Sequence, residues 1–352
     1  MTTWSVNVYP LNSGTASATG VPVRGHSFNY VLNAPGSFDA DLPLRDTAVT
    51  QAIFSPGAKE IRVYRDAVLV WGGYLQGVRV QARDSVTIRA EGYLSRLRRR
   101  YVMSDLLYTD TAQETICWDL IDHTQTQSGG DCGITQGTHT GSSITRDADY
   151  CALNHPNVAD EIASFTEYFD GLDFDITPTN TTSTNKVFRT YEPKKGSDLS
   201  GTVIFTDSNV ATMTYEWSGD NLISRLVTTG NGDCNPPEDD RTDSTALSTY
   251  GLLQEFVSVD TEKLSEVRAF GQHTVANYSV PQLLMQVEYA EGAGILGWGQ
   301  YEVGDIVHVA TSFGPTGGFA DLDLDMRVLT LEVNNQPPNI TFYRATLDSV
   351  TS

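Results

Sequence analysis

The segment from Lys59 to Arg100, KEIRVYRDAVLVWGGYLQGVRVQARDSVTIRAEGYLSRLRRR, constrains the fold more than any other part of the chain. Ile61 and Val63 alternate with Arg62 and Tyr64, Val78 and Val80 with Arg79 and Gln81, and Val86 and Ile88 with Thr87 and Arg89. Successive side chains on a strand point to opposite faces, so these runs have one apolar and one polar face. Arg65-Asp66-Ala67, Gly72-Gly73 and Arg83-Asp84-Ser85 punctuate them, which predicts an antiparallel meander. Arginine recurs on the polar face. The apolar face is expected to build a core, and Arg62, Arg79 and Arg89 to meet acidic neighbours.

The residues before the meander extend it. Trp4, Val6 and Val8 alternate, Ser27–Leu32 reads as a strand, and Asn33-Ala34-Pro35-Gly36 as a turn. Ser37–Leu44 is a further strand, placed at a sheet edge by Pro43. Six or more strands are enough for a small closed or half-closed barrel over residues 1–100. Its exit, Leu94–Tyr101, carries Arg98, Arg99 and Arg100; it reads either as a contact for an acidic partner or as a solvated hinge.

The remaining chain changes character. In 101–230, Ile116, Cys117, Leu120 and Ile121 mark a helix opened by a capping box near Asp110 or Thr111. Asn157 caps a second helix whose inward face is Val158, Ile162, Phe165 and Phe169. Ser128–Ser143 reads as a loop, and strands follow around 172–176, 187–191, 202–205, 213–217 and 222–228. Helices laid on a small sheet give a middle α+β region. Residues 231–244, acidic and interrupted by Pro236-Pro237, read as a linker. Residues 245–352 read as a second strand-rich barrel with one helix. The 352 residues thus form a mainly β, α+β chain of two to four domains, with no sequence repeat between its ends.

Charge and motifs narrow the function classes. The formal net charge is -21, yet residues 1–100 hold 12 Lys+Arg against 7 Asp+Glu. That asymmetry suits docking of one domain on an acidic neighbour, or solubility alone. A chain this acidic is a poor nucleic-acid wrapper, but an acidic wall suits a conduit through which DNA passes without sticking. Asp321, Asp323 and Asp325 alternate on one strand and share a face, which makes them candidate channel-lining residues. No signal peptide and no membrane span are expected from the start of the chain and its hydropathy, and the four cysteines are expected as free thiols. Cys132, His139, Cys151 and His155 have the side-chain types for zinc, but at irregular spacing on a loop, and no metal or cofactor is expected. The Gly-rich pieces 292–299 and 314–318 read as turns, and no nucleophile elbow, zincin or phosphate-loop motif occurs, so an enzyme is disfavoured.

Four diffuse motifs, in order, carry a resemblance. They are Asn33-Ala34-Pro35-Gly36-Ser37-Phe38 before Leu42–Leu44; the Lys59–Leu94 pattern; Gly171–Ile176 with Glu192-Pro193, Gly196 and Asn209-Val210 to Tyr215; and Tyr250-Gly251, a helix, then Tyr301-Glu302-Val303-Gly304-Asp305 leading to Arg327–Val333. In this the chain resembles the tail-tip or baseplate hub proteins (minor tail proteins) of tailed bacteriophages. The resemblance implies two similar tube-like antiparallel β-barrels, 1–100 and 245–352, flanking the middle region. It implies a homotrimer whose six barrels form a pseudo-sixfold ring between the sixfold tail tube and threefold distal parts. Implied partners are tail tube or distal tail proteins and tail fibre or tip proteins, with double-stranded DNA crossing the lumen unbound. The implied place is the virion tail tip, assembled in the host cytoplasm. Because the chain stops after the second barrel, no appended peptidase or receptor-binding activity is expected.

Two rival functions have residues of their own. A host-surface carbohydrate or receptor site would draw on Trp217, Trp298 and Tyr301 as an exposed aromatic platform. A wall-degrading enzyme would draw on Asp170, Asp173 or Asp175 as acid or base.

Overall fold

A computed structural model describes residues 3–81, 85–179, 186–231, 236–291, 296–313, 320–336 and 340–349. The N-terminal strands are β1 (Trp4–Pro10), β2 (Ala18–Val21), β3 (Gly25–Val31), β4 (Ser37–Pro43), β5 (Lys59–Arg65), β6 (Val68–Gln81) and β7 (Ser85–Gly92). The alternation holds for Val6, Val8, Ile61, Val63, Ile88 and Ala90, which are fully buried. Gly72-Gly73, however, is not a turn: β6 runs straight through it, and Val80 near its end is 60% exposed rather than in the core. Asp66 and Ala67 both have positive φ, +48° and +66°, the geometry of a two-residue turn that matches strand twist between β5 and β6. The expected turn at Arg83-Asp84 lies outside the described residues, as do Cys234 and the Gly-rich piece 314–318. β4 is not an edge strand. It lies between β3 and β7, and Pro43 is tolerated as its last residue, past the end of the β3 pairing.

The middle region holds β8 (Leu106–Ala112), α1 (Gln113–Gln125), β9 (Ile134–Thr140), β10 (Thr145–Tyr150), α2 (Val158–Ser164), β11 (Asp173–Pro178) and β12 (Lys186–Tyr191). α1 buries Ile116, Cys117, Leu120 and Ile121, as its spacing requires, but Ala112 precedes it and no capping box forms. Asn157 does cap α2, accepting from the amides of Ala159 at 3.0 Å and Asp160 at 3.4 Å. That helix stops at Ser164 and tightens into a 3-10 turn, so Phe165 is buried while Phe169 leaves the inward face and is exposed. β9 forms where a loop was expected. It pairs in parallel with β12, and its polar sequence, ITQGTHT, hides the strand. This region has its own core, in which Leu94 and Leu97 from the end of the meander pack with α1, α2, Phe174 and Phe188.

The rest comprises β13 (Ile204–Thr206), β14 (Thr212–Ser218), β15 (Arg225–Thr229), β16 (Glu238–Thr242), α3 (Ser244–Tyr250), β17 (Gln254–Ser258), α4 (Leu264–Tyr278), β18 (Gln282–Ala290), β19 (Ile306–Phe313), β20 (Ala320–Gln336) and β21 (Ile340–Ser349). Residues 231–244, expected as a linker, contain β16, which pairs with β15 in the small sheet β16-β15-β17. The strand was hidden because it is polar throughout, with Asp239 paired to Arg241 and to Arg268 of α4. β13 and β14, from the segment read as middle region, join the C-terminal strands through β19 and β18.

The N-terminal and C-terminal strand sets form one hydrogen-bonded sheet, ordered β14-β18-β21-β20-β3-β4-β7-β6-β5-β1-β2, with β19 and β13 added beside β20. β20 makes this possible. Its first half pairs with β19, its second half with β3 (Thr330 opposite Val31 through Asn335 opposite His26), and β21 follows its other edge. One apolar core runs under both sets. The class is mainly β, α+β, as expected.

Candidate functional site

Charged side chains gather in two places: buried, where the middle region meets the sheet, and exposed, on β19 and β20. The first buried group centres on Asp173 at the start of β11, which is fully buried. Its Oδ1 accepts from Asn33 Nδ2 at 2.7 Å, and its Oδ2 accepts from the Lys195 amide at 2.6 Å and from the Arg327 guanidinium. Asn33 belongs to the turn after β3, and Arg327 to β20. One carboxylate therefore ties the N-terminal strands, the middle region and the C-terminal strands together. Asn33 Oδ1 also accepts from the Phe174 amide at 2.9 Å, and Arg327 donates to the Lys195 carbonyl at 2.9 Å. The backbone is packed tightly beside it. Gly196 has φ +106°, and a Cβ there would meet the Gly304 carbonyl group at 2.2 Å. Asp305 Oδ1 accepts from the Ser197 amide at 2.7 Å. The separate motifs around Asn33, Gly171–Ile176, Gly196 and Gly304-Asp305 thus meet in space.

The second buried group lies on the outer face of β5. Glu60 Oε1 is 2.9 Å from Lys186 Nζ of β12, and Glu60 Oε2 is 3.1 Å from the Arg62 guanidinium, with all three side chains no more than 2% exposed. Lys186 also donates to Asn12 Oδ1 and the Cys132 carbonyl, both at 2.9 Å, and Arg62 lies 4.1 Å over the Tyr9 ring. Burial pulls the Lys186 ammonium below its ordinary range, and Glu60 opposes that shift. Arg62 therefore does not stand on an open basic face. The middle region covers β5, so both faces of this strand are buried.

The other arginines differ. Arg79 and Arg99 are exposed. Arg89 is 71% exposed and lies 3.4 Å from Asp39, and Arg98 is 53% exposed and 3.6 Å from Glu91. Arg100 turns inward, donating to the Gly130 carbonyl at 3.1 Å. Asp321, Asp323 and Asp325 lie exposed on β20, opposite Ser312, Ala310 and His308 of β19. His308 bridges two of them, with Nε2 2.8 Å from Asp323 Oδ1 and Nδ1 2.8 Å from Asp325 Oδ1. Those contacts, led by the Asp325 hydrogen bond, raise the imidazole above its ordinary pKa. Sequence reasoning missed His308, Glu60 and Lys186. The period-two pattern does put His308 on the carboxylate face, but a cross-strand partner needs the hairpin register.

The rival sites do not assemble. Trp298 packs among Trp4, Phe28 and Tyr343, and Tyr301 is buried with its hydroxyl 2.8 Å from that of Tyr289. Of the three aromatics Trp217 is exposed, at 66%, Trp298 is half-buried and Tyr301 is buried. Asp170 is paired with Arg146, Asp173 with Arg327, and Asp175 with Lys195 and Arg189. Cys132 is buried beside Arg100, His139 bonds Thr190 and Ser142, and His155 is exposed in a left-handed turn, so these do not converge with Cys151.

No protein-family model and no curated protein sequence matches the chain. Solved structures do match its fold from end to end. A tail protein from Neisseria meningitidis superimposes with a TM-score of 0.63 at 12% identity, over 98% of this chain and 96% of that one. A prophage tail protein from Listeria monocytogenes gives 0.61 at 13% identity, over 99% and 95%. A component of the E. coli type VI secretion system, described as similar to bacteriophage T4 tail proteins, gives 0.54 at 10% identity, over 99% and 77%. The fold is thus that of phage tail proteins, and it is shared with this type VI secretion component.

Proposed function

We propose that the chain is a structural hub of a phage tail tip or baseplate. Three copies form a ring that joins a sixfold tail tube to threefold distal parts, and the ring encloses the DNA exit channel. The N-terminal and C-terminal strand sets act as alternating tube-like staves, and the middle region closes the distal side. The observation that carries this reading is the end-to-end match to two tail proteins, one of them from a prophage, over at least 95% of each chain. It works by shape and symmetry rather than catalysis. Its partners are tail tube or distal tail proteins and tail fibre or tip proteins, and its place is the virion tail, assembled in the host cytoplasm. Asp321, Asp323 and Asp325 face the channel and repel the DNA phosphates. Arg79, Arg89, Arg98 and Arg99 meet acidic surfaces of the next copy.

Light scattering behind size exclusion is expected to give a trimer, alone or once tail-tube or tip protein is added. A persistent monomer that binds neither overturns the proposal. Changing all three aspartates to asparagine is expected to leave assembly intact and slow DNA release from particles.

A further inference from the structure

We infer that the middle region holds a divalent transition-metal site, built by Glu114, His139 and Glu192, with Zn2+ the best-fitting ion. This goes beyond the structural role above and does not depend on it. The three side chains come from different elements: the first turn of α1, the strand β9, and the residue after β12. Each offers a ligand atom, and these atoms lie within 4.8 Å of one another. Small side-chain adjustments bring such a set to bonds of about 2.0–2.2 Å.

The charge at this place asks for a cation. Glu192 is 5% exposed, and Glu114 is half-buried beside it. Arg146, a buried cation of this region, is paired with Asp170 and donates to Gln113 rather than to either carboxylate. Two adjacent carboxylates removed from water repel each other and lose solvation, unless a proton or a metal offsets both. Neutral donors occupy part of the site. Glu192 Oε1 accepts from Gln113 Nε2, and its Oε2 accepts from the Ile144 amide at 3.0 Å and Ser142 Oγ at 3.3 Å. Glu114 Oε1 accepts from Ser143 Oγ at 2.7 Å, while its Oε2 is buried with no hydrogen-bond partner. The His139 ring is held by Thr190 Oγ1 on Nδ1 at 2.9 Å and the Ser142 carbonyl on Nε2 at 2.6 Å. A metal takes one ring nitrogen, and the bond to the other keeps the imidazole oriented. One imidazole and two carboxylates suit Zn2+ or Mn2+ better than a soft-ligand ion, and leave a position for water. The ion would staple α1, β9 and the end of β12 together.

The test uses the untagged full-length chain, stripped with chelator and titrated with Zn2+ against a chromophoric competitor, with Mg2+ as control. One Zn2+ per chain is expected, together with a higher midpoint of thermal unfolding. His139→Ala and Glu114→Gln, shown to be folded by circular dichroism, are each expected to weaken binding by about 10-fold or more and to abolish the thermal shift. Co2+ bound to the unaltered chain is expected to give nitrogen/oxygen ligand-field bands without thiolate charge transfer; this readout stands even where a variant fails to fold. Absence of stoichiometric binding, unchanged binding in both variants, or a thiolate band from Cys132 or Cys151 overturns the site.

Discussion

Both groupings of charge are built on β-strands, yet they behave oppositely. Glu60, Arg62 and Lys186 are sealed between β5 and the middle region, whereas Asp321, Asp323 and Asp325 stand in solvent around His308. In the first, each charge has lost its water and depends on its partner. In the second, water screens the carboxylates and their contacts are weak. The buried group and the Asp173 node fix how three parts of one chain sit together. The exposed row is left to act on whatever passes it.

The sharpest break of this contrast is Lys186→Met. It leaves Glu60 buried with one cation fewer, and is expected to cost about 3–5 kcal/mol in urea unfolding. A loss within about 0.5 kcal/mol, the scale of an ordinary surface substitution, erases the distinction. Next in size is Asn33→Ala, which removes both bonds that Asn33 makes at the β11 start. A cost of about 2 kcal/mol is expected, with the middle region loosening first by hydrogen exchange at Phe174.

His308 gives a smaller effect with a defined sign. Its pKa is raised in the folded chain, so its contribution is fully present below the ordinary value near 6.5 and is lost as pH rises through the folded value. His26 and His273, whose pKa burial lowers to about 4, act in the opposite sense, so the contribution of His308 is read as the difference between the unaltered chain and His308→Ala. That difference is expected to shrink as pH rises from mildly acidic to mildly alkaline. An identical slope in the variant assigns the pH dependence to other groups. Smallest of all is Arg89→Ala: breaking its exposed pair with Asp39 is expected to change stability by no more than about 0.5 kcal/mol. A larger loss in the isolated chain would mean that Arg89 is not merely a surface residue awaiting a partner.

Much of the strand pattern was legible because it depends on local alternation. Ile61, Val63, Val86 and Ile88 are buried where period two puts them. Strands that are polar throughout or nearly so escaped, namely β16 and β9, since their partners define them more than their side chains. β8 and β10 escaped as well, although Leu106 and Tyr108 of the one and Ala148 and Tyr150 of the other pack on the middle core. Of the site, the carboxylate row was legible because three aspartates two residues apart must share a strand face. Arg62 was misplaced for a related reason: alternation says only that it opposes Val63, and β12 arriving through Lys186 decides that this face is closed.

The sequence by itself determined a mainly β chain with a basic N-terminal part, an acidic remainder and an acidic strand face near its end, because each follows from composition and spacing. Tertiary structure alone decided that β20 would bridge the two strand sets, that Asp173 would hold three regions at one carboxylate, and that Glu114, His139 and Glu192 would meet. Those pairings join residues far apart in the chain, and no local preference encodes which distant partner a strand edge or a buried charge will find.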